Sequence, residues 1–196
     1  AFYDADGHYY STKLITTGIM YNTQAGMKPT SWKDLTKPEA KGLVAMPSPL
    51  TSGAALIHTQ TLTGVDSLGV FNAVAAGTKP YGIVVDFLPI REAAKGSPVE
   101  FVFPEEGVSA VTEPVAILSS TEHADAAKKF IDYILSEDGQ KVQLDLGYIP
   151  ARNGLAVPAG FPGRDQVKVL SVDPADALKT SEEDLKTFSE IFGTAG

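Results

Sequence analysis

Residues 46–53 read Met46-Pro47-Ser48-Pro49-Leu50-Thr51-Ser52-Gly53, and this stretch decides the fold class. Before it, Leu43, Val44, Ala45 and Met46 form a short apolar run that stops at Pro47, a residue with no N–H to offer a sheet. After it, residues 51–62 carry Ala54, Ala55, Ile57, His58 and Leu62 at helical spacing. A strand therefore passes into a helix through a turn stiffened by two prolines, with Thr51, Ser52 and Gly53 at the helix start. Such a junction leaves free N–H groups and two hydroxyls at the carboxyl end of a sheet, where α/β proteins bind ligands. An ordinary helix cap accounts for the same residues equally well.

Outward from this turn the chain alternates. Residues 14–21 read as a strand, and Ser31 or Thr30 caps a helical turn over 31–35. Residues 68–76 are a helix closed by Gly77, and 81–87 are an apolar run broken only at Asp86, as in a buried parallel strand. A short helix over 90–95, a strand over 99–103 and another over 113–118 follow. From His123 the pattern is helical: Ala126, Ala127, Phe130, Ile131, Ile134 and Leu135 share one face, and Ser136 caps a second helix reaching Leu146. Residues 149–163, rich in Pro and Gly, read as irregular, and 181–192 as a closing helix. With no internal repeat, the alternation predicts an α/β sheet.

Composition narrows function. The formal charge of −8 disfavours nucleic acid and anionic membrane surfaces, though a pocket can still be locally positive through backbone N–H groups. The absence of cysteine removes thiol catalysis, zinc–thiolate sites, iron–sulfur clusters and disulfides. No apolar run approaches the roughly 20 residues that span a bilayer. Residues 1–6 lack a basic region followed by an apolar stretch, so no signal peptide is read there.

The familiar catalytic signatures do not occur: no Gly-x-Ser-x-Gly elbow, no phosphate-binding Walker loop, no Gly-x-Gly-x-x-Gly and no His-Glu-x-x-His. His8, His58 and His123 are scattered, and His58, inside a helix, reads as packed or surface. Glu105 and Glu106 read as a solvated loop. Asp86, at the end of an apolar strand, must be paired, face a site or cap the next helix. Thr112 and Glu113 precede a buried-looking strand and raise the same question, and Tyr9 and Tyr10 are suited to line a pocket.

The order of segments is itself informative. A glycine-containing strand ends in Tyr21-Asn22, then come Ser31-Trp32-x-Asp34-Leu35 and Lys41-Gly42-x-Val44-Ala45-Met46-Pro47 before the Thr51-Ser52-Gly53 helix start. Later come Ala73-Val74-Ala75-Ala76-Gly77, Tyr81-Gly82-Ile83-Val84-Val85, Val99-Glu100-Phe101-Val102-Phe103-Pro104-Glu105-Glu106-Gly107 and Phe130-Ile131-Asp132-Tyr133-Ile134-Leu135-Ser136. Over residues 7–192 this order resembles the family-1 extracellular solute-binding proteins of ABC importers, the group of ferric-iron, polyamine and aminophosphonate binders.

The resemblance implies a periplasmic-binding-protein type II fold, two α/β lobes joined by crossover strands, with a mixed or parallel sheet flanked by helices. On that template residues 1–13 are a crossover segment and 14–110 the second lobe, while 111–196 are a crossover strand with the helical C-terminal part of the first lobe. Ser48, Thr51, Ser52 and Gly53 correspond to the helix-start site for a ligand anion. Asp86 and Phe87 fall where iron-binding members carry adjacent tyrosines. The missing tyrosine pair argues against tyrosinate-held ferric iron, and an aspartate suits an ammonium group. Thr112 and Glu113 correspond to the neighbourhood of the crossover back to the first lobe.

The expected role is therefore that of an exported, periplasmic or extracellular binder of a small anionic or zwitterionic solute. It would deliver that solute to an ABC permease, with no cofactor, no metal and no chemistry. Two features depart from the template: the chain starts near the crossover, as a fragment lacking most of the first lobe would, and the 62–70 connection is short. The helix over 123–135 then needs covering, by self-association or by the missing lobe. The alternatives are an assembly fragment that no longer binds, or an enzyme using Asp86 and Glu113 as acid and base.

Overall fold

The computed structural model describes residues 4–63 and 79–193. By contact the chain groups into two units, Ala1–Ile15 with Val111–Arg164 and Thr16–Ala110 with Asp165–Gly196. The architecture is mixed α/β: strands β1 (Tyr10–Asn22), β2 (Val44–Ala45), β3 (Tyr81–Val85), β4 (Val99–Val102), β5 (Val108–Val115), β6 (Ile149–Pro150) and β7 (Val169–Leu170) alternate with helices. The helices are α1 (Gly53–Thr63), α2 (Phe87–Ala94), α3 (Ala124–Leu135), α4 (Glu137–Asp145) and α5 (Pro174–Phe192).

In the Thr16–Ala110 unit, β1 lies between two antiparallel partners. Thr17 to Tyr21 pair with Val85 to Tyr81 of β3, and Ile19 to Asn22 pair with Val102 to Val99 of β4. On its other side β3 runs parallel to β2, Val44 opposite Tyr81 and Ala45 opposite Gly82. The apolar run at Tyr81 is thus parallel on one edge and antiparallel on the other. Gly18 is required where β1 meets β4, because a Cβ there would stand 2.6 Å from the carbonyl oxygen of Val102. The core gathers Ile19, Tyr21, Trp32, Leu35, Val44, Leu62, Tyr81 and Ile83. Trp32 enters it from a 3₁₀ turn opened by a capping box, in which Ser31 and Asp34 satisfy each other's backbone N–H groups.

In the Ala1–Ile15 unit, Lys13 and Leu14 of β1 pair antiparallel with Pro150 and Ile149 of β6. Buried Gln140 on α4 ties this unit together. It donates to the carbonyls of Thr12 (2.8 Å) and Ile134 (2.9 Å), and its oxygen accepts from the Arg152 N–H (3.1 Å). Ser136 caps α4 by accepting from the N–H of Gly139.

Element boundaries differ from the sequence expectation at several places: β2 keeps only Val44–Ala45 of the apolar run, α1 starts at Gly53 rather than 51, and Ile149–Pro150, in the stretch expected to be irregular, is strand β6. β1 begins at Tyr10 rather than Leu14: Lys13 pairs with Pro150 of β6, the Thr12 hydroxyl donates to the Glu113 carbonyl and the Thr12 carbonyl accepts from Gln140. β5 spans Val108–Val115 rather than 113–118, since Val108 and Ser109 pair with Val169 and Leu170 while Leu118 is 74% exposed. α2 starts at Phe87, directly after its cap Asp86. α5 starts at Pro174 rather than Ser181, because the Asp173 carboxylate accepts from the N–H groups of Ala175 and Asp176 with proline at the first helical position. α5 also packs on α1, within the unit of residues 16–110. The helix expected over 68–76, the Ala73–Gly77 motif within it and the short 62–70 connection fall on or across residues outside those described.

Candidate functional site

Because β2 and β3 are parallel, their carboxyl ends lie side by side, and the chain leaving β2 turns there into α1. The turn is held by Ser48. Its carbonyl accepts from the N–H groups of Thr51 (3.1 Å) and Ser52 (2.9 Å) and from the Thr51 hydroxyl (3.4 Å). Its own hydroxyl accepts from the Leu50 N–H at 3.3 Å. Ser52 caps α1, accepting from the Ala55 N–H at 3.3 Å. The N–H groups of Gly53 and Ala54 meet no acceptor among the described residues, as the first turn of a helix dictates.

A cavity of about 20 Å³ opens beside this turn, room for a water-sized group. Ser52, Ala54 and Ala55 line it from the helix start, Met46 from the end of β2, Val85 from the end of β3 and Thr17 from β1. Its walls are mostly apolar, and the hydroxyl-bearing side chains among its lining residues are Thr17 and Ser52; Gly53 is not part of the lining. Thr17, Met46, Ala54, Ala55 and Val85 are not among the site residues expected from sequence. The one available signal was Thr16-Thr17, a polar pair in the middle of an apolar strand.

Asp86 stands directly after Val85 and is 1% exposed. Its Oδ2 accepts from both the N–H (2.7 Å) and the hydroxyl (2.6 Å) of Thr16, and its Oδ1 accepts from the Phe87 N–H (2.6 Å). Burial pushes its carboxyl up to about 6, against the lowering pull of these three donors. Asp86 thus caps α2 and clamps it to β1. Phe87 is half-buried beneath the Arg91 guanidinium, 4.8 Å from its ring centre.

The structure brings Ser48, Thr51, Ser52 and Gly53 together in one turn, but of the expected site residues only Ser52 lines the cavity; Asp86 and Phe87 follow β3, whose end lines it. Thr112 and Glu113 lie on β5 in the unit of residues 1–15 and 111–164. There Glu113 is exposed, 3.9 Å from the Lys13 ammonium, and its carbonyl accepts from the Thr12 hydroxyl.

Other sequence candidates resolve plainly. Glu106 is not a solvated loop carboxylate: it accepts from the Ser31 hydroxyl and from the Trp32 N–H (3.2 Å), anchoring the 3₁₀ turn, while Glu105 is exposed. His58 is packed, fully buried against Trp32 with ring centres 4.7 Å apart. Tyr9 and Tyr10 are 42% and 40% exposed. Among the described residues, Asp4, Asp6 and His8 are the one group whose ligating atoms converge within 4.8 Å; His8 and Asp6 are exposed, and Asp4 already accepts the His8 N–H.

Comparison with known proteins places the chain in a family. Residues 2–68 and 59–177 match the family described as bacterial extracellular solute-binding protein. An uncharacterized protein of Haemophilus influenzae is 31% identical over 169 residues, 69% of this chain and 48% of that one, so the chain spans about half the length of this relative. Among solved structures, the periplasmic binding protein AfuA from Actinobacillus pleuropneumoniae, with fructose-6-phosphate bound, superposes with a TM-score of 0.81 at 20% identity, covering 95% of this chain and 69% of that one. Iron-bound HitA from Pseudomonas aeruginosa gives 0.79 at 19% identity, covering 97% and 71%. These two likenesses are likenesses of fold.

Proposed function

Because this chain belongs to the bacterial extracellular solute-binding proteins and shares their type II periplasmic-binding-protein fold, we propose that it holds a small anionic or zwitterionic organic solute at the start of α1. The solute goes on to an ABC permease outside the cytoplasm, and the binding is reversible with no chemical step. The observation that carries this reading is the pair of unpaired N–H groups at Gly53 and Ala54 in the first turn of α1, where Ser52 and Ala54 line the cavity. Such N–H groups, aligned with the positive end of the helix dipole, attract an anion. Ser48 and Thr51 shape the turn, and Asp86 with Phe87 braces the strand end beneath it. Thr112 and Glu113 have no part in this proposal.

An organic anion is favoured over ferric iron. Both Asp86 oxygens are already hydrogen-bonded, and Phe87 offers no ligand atom. The AfuA fold neighbour carries fructose-6-phosphate, a sugar phosphate of the class proposed here. Native mass spectrometry of the chain purified without added ligand tests the proposal. A retained anionic organic solute supports it, and a retained ferric ion with no organic component contradicts it.

We also propose self-association through α3. No residue of that helix is buried, and Phe130 and Tyr133 are 63% and 54% exposed on it.

A further inference from the structure

α1 is an unusual helix for its position. From His58 to Leu62 every side chain is buried, yet four of the five are polar. Polar groups taken from water are costly unless bonded, so their partners are informative. Thr59 and Thr61 donate back to the carbonyls of Ala55 (2.9 Å) and Ile57 (2.7 Å), bonds within the helix that fix nothing outside it. His58 and Gln60 reach outward. His58 Nδ1 pairs with the Ser109 hydroxyl of β5 at 2.8 Å, and Gln60 Nε2 donates to the Ala177 carbonyl (2.6 Å) and the Asp184 carboxylate (3.2 Å) of α5.

An apolar side chain in the same place would bury as well and leave the helix freer to slide or turn, because dispersion contacts are non-directional. Hydrogen bonds are directional, and a displaced helix would orphan buried donors. We propose that His58 and Gln60 are positioning residues, tying α1 to β5 and α5 so that the Gly53 and Ala54 N–H groups of its first turn are held at a fixed place beside the cavity. The inference rests on the reading of that turn as the ligand site.

The test compares Gln60→Met and His58→Asn with the control Thr61→Val, whose lost hydroxyl bonds only within α1. Asparagine keeps a donor near the position of Nδ1 and is the conservative member. Two quantities are read in the full chain: the amide shifts and hydrogen exchange of Gly53 and Ala54, and affinity for inorganic phosphate and fructose 6-phosphate. We expect Gln60→Met to move both amides and weaken phosphate binding about 2- to 30-fold, the span of coupling effects through packed networks. His58→Asn should do less, and Thr61→Val should leave both readouts at wild type. Amides and affinity unchanged in Gln60→Met, with only the melting temperature lowered, would overturn the inference. If wild type binds neither compound, the functional reading fails alone, and the amide shifts and exchange still decide whether Gln60 positions the turn.

Discussion

Asp86 Oδ2 accepts two hydrogen bonds from one residue, the N–H and the hydroxyl of Thr16, at 2.7 and 2.6 Å. This pair joins the end of β3 to the middle of β1 directly below the proposed site. Its removal leaves a buried N–H and hydroxyl without a partner, so Asp86→Ala should destabilise the chain by about 2–4 kcal/mol, read by urea unfolding.

Asp86 also makes a pH prediction. Its folded value of about 6 lies above the ordinary 3.8, so the protonated form is favoured by folding. Its contribution is fully present below pH 3.8 and fades as pH rises through about 6. Relative to Asp86→Asn, the wild type should lose about 3 kcal/mol between these limits. A flat difference between the two proteins across that window would contradict the assignment.

His58 has the opposite sign. Burial drives the imidazole from 6.5 down to about 3, so the neutral form is the folded one. Its contribution is present above pH 6.5 and is lost as pH falls toward 3. The stability of wild type relative to His58→Asn should therefore fall on acidification from pH 6.5 toward 3. Because Nε2 is buried without a partner among the described residues, the proton belongs on Nδ1, facing Ser109. Nitrogen-15 imidazole shifts at neutral pH should report that tautomer.

Gly18→Ala should cost about 2–3 kcal/mol, since the new methyl meets the Val102 carbonyl at 2.6 Å, a backbone atom that cannot rotate away. Thermal melts of the pair check this.

For α3, sedimentation velocity should show association of the wild type that Phe130→Ser reduces. A strictly monomeric wild type at high concentration would contradict the self-association we propose.

Local signals were legible in the sequence. Ser31 with Asp34 and Ser136 each act through neighbours within a few residues and cap where the spacing puts them, while the strand before Pro47 ends at Ala45, one residue short of Met46. What was not legible depends on remote partners. Helical spacing makes α1 look two-faced, yet it is closed in on its polar side by Ser109 and Ala177, 51 and 117 residues away. Asp86 read equally well as a cap or a ligand group, and only the register of β1 against β3 places Thr16 beside it. The Asp173-Pro174 helix start is itself a local signal, and it competes with the later cap candidate Ser181.

The central claim is that an anion sits on the first turn of α1. A titration of the isotope-labelled chain with fructose 6-phosphate, followed by amide NMR, tests it most directly. The account predicts saturable shifts largest at Gly53 and Ala54, weakened in Ser52→Ala. Saturable shifts centred elsewhere, with these two amides unmoved, would contradict it.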